Sequence, residues 1–243
     1  MNALVTGGAS GIGAALSLEL ARRGVAVTVV GRDPAKLNSL KEAAEKQSSL
    51  QAGRVTIVQE QTKLLLCCIH VLISLTQSDI ATSQGRRQVV ELLKGEASLS
   101  FLVNNAAVGT PDRLQDITLQ DFEEAMAVNV TAPLFLSQQL LPLLEKAKGG
   151  GRILNVGSGI ADRVQLGTGT YGITKKALHR LSLQMTEDLA GRNVHVAYVR
   201  LAAVDDRTRQ SSHLADLLLE ESNETFAKEV TVRRSEARRD GQD

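Results

Sequence analysis

The stretch "TGGASGIG", Thr6–Gly13, holds four glycines in eight residues and lies directly between a short apolar run, "ALVT", and a helical stretch, "IGAALSLELARR". That context constrains the fold more than any other feature of the chain. Gly7 and Gly11 let the backbone turn tightly and approach a phosphate, and Gly13 lets the following helix lie close to the sheet. The helix start offers unpaired N–H groups and a positive dipole end. A merely structural strand-to-helix turn needs fewer glycines, so the segment reads as a nucleotide-binding loop.

The same alternation continues along the chain. "VAVTVV" (25–30), "RVTIV" (54–58), "LSFLVNN" (99–105), "RILNV" (152–156) and "NVHVAYV" (193–199) read as strands, being rich in β-branched residues and bounded by glycine or polar positions. Between them "PAKLNSLKEAAEKQ", "RRQVVELLKG", "LQDFEEAMAVNVTAPLFLSQQLLPLLEKA" and "YGITKKALHRLSLQMTEDLA" carry helical periodicity, with Pro34 suited to a first turn. Strands alternating with helices predict an α/β, doubly wound parallel sheet in a single domain.

Composition narrows the function. The 243 residues are 43% hydrophobic and 23% charged with a net charge of +1, which gives no electrostatic case for nucleic acid or an anionic membrane. The only cysteines, Cys67 and Cys68, are adjacent and cannot staple distant segments, so a reducing, cytoplasmic setting is expected. No secretory leader is read at the start of the chain. The apolar run "LLLCCIHVLISL" (64–75) is too short for a membrane span, which needs about 20 residues. Periodicity does not decide whether that run is a buried strand or a core helix. His70, His179, His195 and His213 show no metal-ligand spacing.

The tip of the second strand reads "VVGRDP", with Arg32 where a guanidinium could hold the extra phosphate of NADP and Asp33 one place later. NADP(H) is therefore expected in preference to NAD(H). In "YGITK" the phenol of Tyr171 precedes Lys175 by one helical turn, in a chain with two tyrosines and no tryptophan. Alone this is an ordinary i,i+4 surface pair. Alternatively, it is a phenol whose acidity is tuned toward general acid–base work by a neighbouring ammonium.

"TGGASGIG", "LVNNAA" (102–107), Asn129, Ser158 and "YGITK", taken in this order and spacing, resemble the short-chain dehydrogenase/reductases over roughly residues 2–200, most similarly the sepiapterin- and benzil-type carbonyl reductases. The resemblance implies a Rossmann-type fold and hydride transfer between a nicotinamide and a small carbonyl or alcohol. In it Tyr171 is the general acid/base and Ser158 holds the substrate oxygen. Lys175 holds the nicotinamide ribose, and Asn129 holds a proton-relay water. It also implies a cofactor site built from Thr6, Gly7, Ser10, Gly11, Ile12, Gly13, Arg32, Asp79, Ile80, Asn104, Ala106, Val204, Tyr171 and Lys175. "GIADRVQLGTG" (159–169) is expected to line the pocket with Ile160, Val164 and Leu166. No metal, nucleic acid or membrane span is expected.

Three departures from the family pattern are visible. The segment 60–78 reads as an apolar insertion between the third strand and Asp79. Ala107 stands where glycine is usual, and "LAAVDD" replaces the family's Pro-Gly and later threonine. Residues 1–205 are expected to form the catalytic domain. Residues 206–243 are expected to supply one helical stretch (213–221) and a solvated tail without a final strand, which puts the family's usual homo-oligomer in doubt. The alternative is a non-catalytic protein that keeps the fold.

Overall fold

The computed structural model describes residues 1–50, 56–59, 72–109, 111–201, 207–220 and 230–232. Eight strands form one sheet: β1 (Asn2–Thr6), β2 (Ala26–Gly31), β3 (Thr56–Gln59), β4 (Leu72–Gln77), β5 (Phe101–Asn104), β6 (Gly151–Ser158), β7 (Val194–Leu201) and β8 (Val230–Val232). Their spatial order is β3-β4-β2-β1-β5-β6-β7-β8, and every pairing is parallel. The helices are α1 (Gly11–Arg22), α2 (Pro34–Leu50), α3 (Ser83–Leu92), α4 (Leu119–Met126), α5 (Ala132–Glu145), α6 (Gly169–Asp188) and α7 (Arg207–Leu219).

Alternation along each strand builds two cores, one on each face. Ala3, Val5, Val27, Val29, Val103 and Leu154 pack with Leu16 and Leu20 of α1 and Leu214 and Leu218 of α7. Leu4, Val30, Leu102 and Ile153 pack the opposite way with Leu136, Leu140 and Leu144 of α5. Helix starts obey local chemistry. Asp33 accepts from the amides of Ala35 (2.9 Å) and Lys36 (3.3 Å) beside Pro34, and Thr82 caps α3 by accepting from Gly85 N (2.9 Å).

The stretch predicted as one helix over 119–147 is divided. Between α4 and α5, residues Ala127–Thr131 form a π-helical turn, with Ala132 N reaching back to Ala127 O. Pro133 supplies the reason. It has no N–H for the carbonyl of Asn129 four residues earlier, which removes an α bond at the junction and favours the change of register there. The combined segment Leu119–Glu145 is long and apolar enough to cross a bilayer by length and composition. Its apolar face packs on the sheet through Leu136, Leu140 and Leu144, the behaviour of a core helix.

Two expectations are corrected. The segment 60–78 is not simply an insertion, because its last part is β4, which occupies the place beside β2. Val27 pairs with Ile73 and Val29 with Leu75, and Ser78 N donates to Gly31 O at 3.0 Å. Ile73 is 1% exposed. The earlier run, read as the third strand, becomes the edge strand β3. Both runs satisfy the strand pattern. The one that leads directly into Ser78-Asp79 takes the inner position, and residues 60–71, including Cys67 and Cys68, lie outside the described residues. The chain end also carries a final strand after all. Val230–Val232 extends the sheet beyond β7, pairing Val199 with Val230 and Leu201 with Val232. Three residues inside a charged stretch are too few for periodicity to reveal. The C-terminal helix begins six residues before its predicted start, at Arg207. The remainder of the expected tail, 233–243, lies outside the described residues.

Candidate active site

The chain reverses direction across the sheet between β1 and β5, and the crevice at their C-terminal ends is where an open parallel sheet binds a ligand. Four predicted side chains converge beside it. Tyr171 lies in the first turn of α6, Lys175 one turn later, Ser158 at the end of β6, and Asn129 in the π-helical turn.

Lys175 is buried to 2% exposure, with Nζ donating to Val156 O at 2.9 Å and standing 5.6 Å from the centroid of the Tyr171 ring. Burial lowers its pKa from 10.5 to about 8. The Tyr171 phenol is pushed above its ordinary 10, burial being the larger cause, while a hydrogen bond with the Ser158 side chain pulls the other way. This departs from the expected depression by Lys175. The ammonium is directed at a backbone carbonyl, and burial sets the direction for the phenol.

Asn129 is fully buried. Its Nδ2 donates to Val108 O and to Thr174 Oγ1, both at 2.8 Å, and its Oδ1 accepts from Val108 N at 2.9 Å. The side chain therefore ties the loop after β5 to α6 in the turn that carries Lys175. That loop crosses the phenol closely: a Cβ on Gly109 would stand 2.7 Å from the Tyr171 ring. The second tyrosine props the site from behind. Tyr198 Oη donates to Lys175 O at 3.4 Å, its ring lies 4.6 Å from that of His179, and a Cβ on Gly157 would sit 2.1 Å from it.

The glycine loop is knitted to β5. Thr6 Oγ1 donates to Val103 O (3.3 Å) and accepts from Asn105 N (3.1 Å) and Ala106 N (3.2 Å). Gly7 has φ +62°, and a Cβ there would meet Ala106 Cα at 2.7 Å. A Cβ on Gly13 would stand 2.4 Å from Gly7 O, so this glycine lets α1 close on its own loop. Ser10 takes the N-cap backbone of α1 with no side-chain cap bond, leaving the first-turn amides for an anion.

Comparison with known proteins decides what this assembly is. A family model described as short chain dehydrogenase matches residues 1–66 and 63–216. The chain belongs to the short-chain dehydrogenase family. The two matches overlap at residues 63–66, between β3 and β4 in the chain. The chain is 33% identical over 193 residues to the short chain dehydrogenase penD of Penicillium thymicola, covering 75% of this chain and 61% of that relative's length. It is 28% identical over 221 residues to a rhamnolipids biosynthesis 3-oxoacyl-[acyl-carrier-protein] reductase of Pseudomonas aeruginosa, covering 88% and 76%. Among solved structures, a metagenomic short-chain oxidoreductase in complex with NADP shares 25% identity with a TM-score of 0.79, each chain covered to 96%.

The remaining predicted residues divide between the cleft, the core and the surface. Arg32 extends from the tip of β2, and its Nη1 donates to Glu124 Oε1 of α4 at 2.7 Å. Both line a cleft of about 320 Å³ with Val108, Gly109, Asp121 and Thr170. Asp79 is exposed and accepts from Ala81 N at 3.0 Å, Ile80 is buried, and Ile12 packs against the core. The Asn104 side chain turns inward, donating to Asn155 Oδ1 (2.8 Å) and Ser137 Oγ (3.4 Å), so only its main chain can face a ligand. Val164 and Leu166 are strongly exposed and absent from the lining of this cleft. Ala202, Val204 and Asp206 lie outside the described residues. The groups of histidine, cysteine, aspartate and glutamate among the described residues include none able to hold a metal ion.

Sequence reasoning missed Asp112, Glu124 and Asn105. Asp112 Oδ1 accepts from Thr170 N at 3.1 Å and so caps α6 beside Tyr171, 58 positions away. Asn105 Nδ2 holds the carbonyls of Thr6 and Gly7, each at 3.1 Å. Only the "NN" pair hinted at the latter.

Proposed function

We propose that the protein is an NADP(H)-dependent carbonyl reductase or alcohol dehydrogenase acting on a small, modestly apolar carbonyl or alcohol substrate. The observation that carries this reading is the assembly of Ser158, Tyr171 and Lys175 beside a glycine loop suited to a dinucleotide. The residues fit such a cofactor. The uncapped start of α1 and the positive-φ Gly7 and Gly11 would hold the pyrophosphate, Arg32 the 2′-phosphate, and Lys175 the nicotinamide ribose. When bound, the nicotinamide would supply or accept the hydride.

The chain's own groups then handle the proton. Ser158 Oγ donates to the substrate oxygen as charge develops there, and the Tyr171 hydroxyl transfers its proton to the same oxygen. With the phenol raised by burial, a cation is needed to bring its pKa down toward neutral pH, and the Lys175 ammonium stands 5.6 Å from the ring centroid, where the bound cofactor's own charge would add to it. Asn129 Nδ2 is fully used by Val108 and Thr174, so a relay water would rest on its main-chain carbonyl, which Pro133 cannot bond. The adjacent cysteines support work in a reducing compartment, the cytoplasm.

The rival reading, a fold-keeping but non-catalytic relative, rests on the segment 60–78 and the altered tail. Both regions contribute a strand to the sheet, β4 and β8, which supports the enzyme reading over this one. The test is NADPH oxidation by the purified protein across a panel of aldehydes and ketones, with Tyr171→Phe as control. Tight nucleotide binding with no turnover of any carbonyl, or turnover that survives Tyr171→Phe, overturns the proposal.

A further inference from the structure

Arg32 already has an anionic partner, and that partner reaches it from across the crevice. The guanidinium projects from the tip of β2, whereas Glu124 lies in the last turn of α4, 92 positions away and beyond β5. Both line the cleft that also contains Gly109, the residue lying against the Tyr171 ring. The other charged groups around Arg32 are differently engaged. Asp79 is within electrostatic reach of Arg32 without contacting it. Asp121 lines the same cleft, but its Oδ2 accepts from Thr118 Oγ1 at 2.7 Å. Asp33 pairs with Lys36 at 3.7 Å.

We propose that Glu124 is a specificity-determining residue of the nucleotide site, its carboxylate occupying the Arg32 guanidinium in place of the 2′-phosphate of NADP(H). This rests on the assignment of Arg32 as the phosphate-binding residue. The side chains of the pair are 58% and 41% exposed, so the contact is of the weak, exchangeable kind. A 2′-phosphate, carrying two negative charges and able to accept two parallel N–H bonds, displaces the carboxylate. A ribose 2′-hydroxyl does not. NADPH therefore binds at the expense of the ion pair and against the charge of Glu124, whereas NADH leaves the pair intact. Glu124 lowers the discrimination between the two nucleotides below what Arg32 alone would give.

The experiment is direct titration of NADPH and NADH, by nicotinamide fluorescence or calorimetry, into the wild-type protein, Glu124→Gln, Arg32→Ala and the double variant. Glu124→Gln is expected to tighten NADPH roughly three- to fivefold while leaving NADH within about twofold, the range of a weak exposed pair. The gain should shrink with added salt as the charges are screened. In the Arg32→Ala background the substitution should change the NADPH/NADH ratio less than it does in the wild type, since only the residual charge repulsion remains. Glu124→Ala should behave as Glu124→Gln does. If Arg32→Ala leaves the wild-type nucleotide preference unchanged, the phosphate-binding role of Arg32 is wrong. If Arg32→Ala collapses that preference but neither Glu124 variant tightens NADPH, Arg32 keeps its role and the proposal for Glu124 fails. Equal tightening of both nucleotides would also overturn it, since Glu124 would then merely narrow the cleft.

Discussion

Replacing Lys175 by methionine should stabilise the protein while destroying its activity. A buried ammonium costs folding free energy, and the depressed pKa measures that cost. The fall from 10.5 to about 8 corresponds, at about 1.4 kcal/mol per pH unit, to roughly 3 kcal/mol disfavouring the charged form in the folded state. Methionine matches the length and volume of the lysine stem, so no large cavity is made. It abandons the 2.9 Å bond to Val156 O, and an unsatisfied carbonyl costs about 1 kcal/mol. The net gain at pH 7 is about 2 kcal/mol, or roughly 4–8 °C in Tm for a domain of this size. The pH dependence has a definite sign. Between about 8 and 10.5 the unfolded chain binds the Lys175 proton more tightly than the folded protein does, so wild-type stability rises with pH relative to the variant. Below about 8 both states are protonated and the cost is present in full. Thermal unfolding of both proteins without nucleotide, from about pH 7 to about pH 10, should show a Tm advantage for Lys175→Met that is largest at the lower end and fades as pH rises. A variant less stable than wild type at neutral pH, or an advantage independent of pH, would refute the reasoning.

If Tyr171 is the proton donor proposed above, Tyr171→Phe should leave NADPH affinity within about twofold and lower kcat by two or more orders of magnitude; single-turnover kinetics check this. Deleting residues 60–78 should abolish folding, since it removes β4 from beside β2, whereas deleting 56–71 removes the edge strand β3 and its connection and should leave soluble, nucleotide-binding protein. Solubility, circular dichroism and NADPH titration of the two deletions distinguish this from the reverse order. Asp162 is held below its ordinary pKa first by Lys176 of α6 and then by Arg200 of β7. Because the folded pKa is depressed, its contribution is present above the usual carboxylate range and is lost as pH falls below that range through the folded pKa. Asp162→Asn should therefore cost up to about 1 kcal/mol at about pH 7 and progressively less as pH falls through the depressed carboxylate pKa, by denaturant unfolding across an acid pH series.

What was legible in the sequence was local. The glycine loop between β1 and α1 declares itself because tight turns, close backbone approach and a free helix start are decided within eight residues. Tyr171 and Lys175 share a helix face by their spacing alone. What was not legible depends on which distant segments meet. The Asp112 cap on α6 and the Arg32–Glu124 pair join groups 58 and 92 positions apart. Acidity was misjudged for the same reason. The spacing to Lys175 is visible in the chain, but the burial that raises the phenol and aims the ammonium at Val156 O is not.

The choice between two candidate strands was the most consequential of these distant decisions. "TIVQ" and "LISLTQ" are each half apolar and both read as strands, and nothing within either says which pairs with β2. The sheet decides by the residues next in the chain. Only the second strand ends on Ser78, whose amide bonds Gly31 O at the tip of β2 and whose hydroxyl bonds Gly85 O at 3.0 Å in α3. That arrangement delivers Asp79 to the rim beside Arg32. β3, which precedes β4 in the chain, therefore lies at the sheet edge, with β4 and β2 between it and the strands β1 and β5 that border the crevice. The cluster of Ser158, Tyr171 and Lys175 lies on the other side of β1, so the edge strand does not border it.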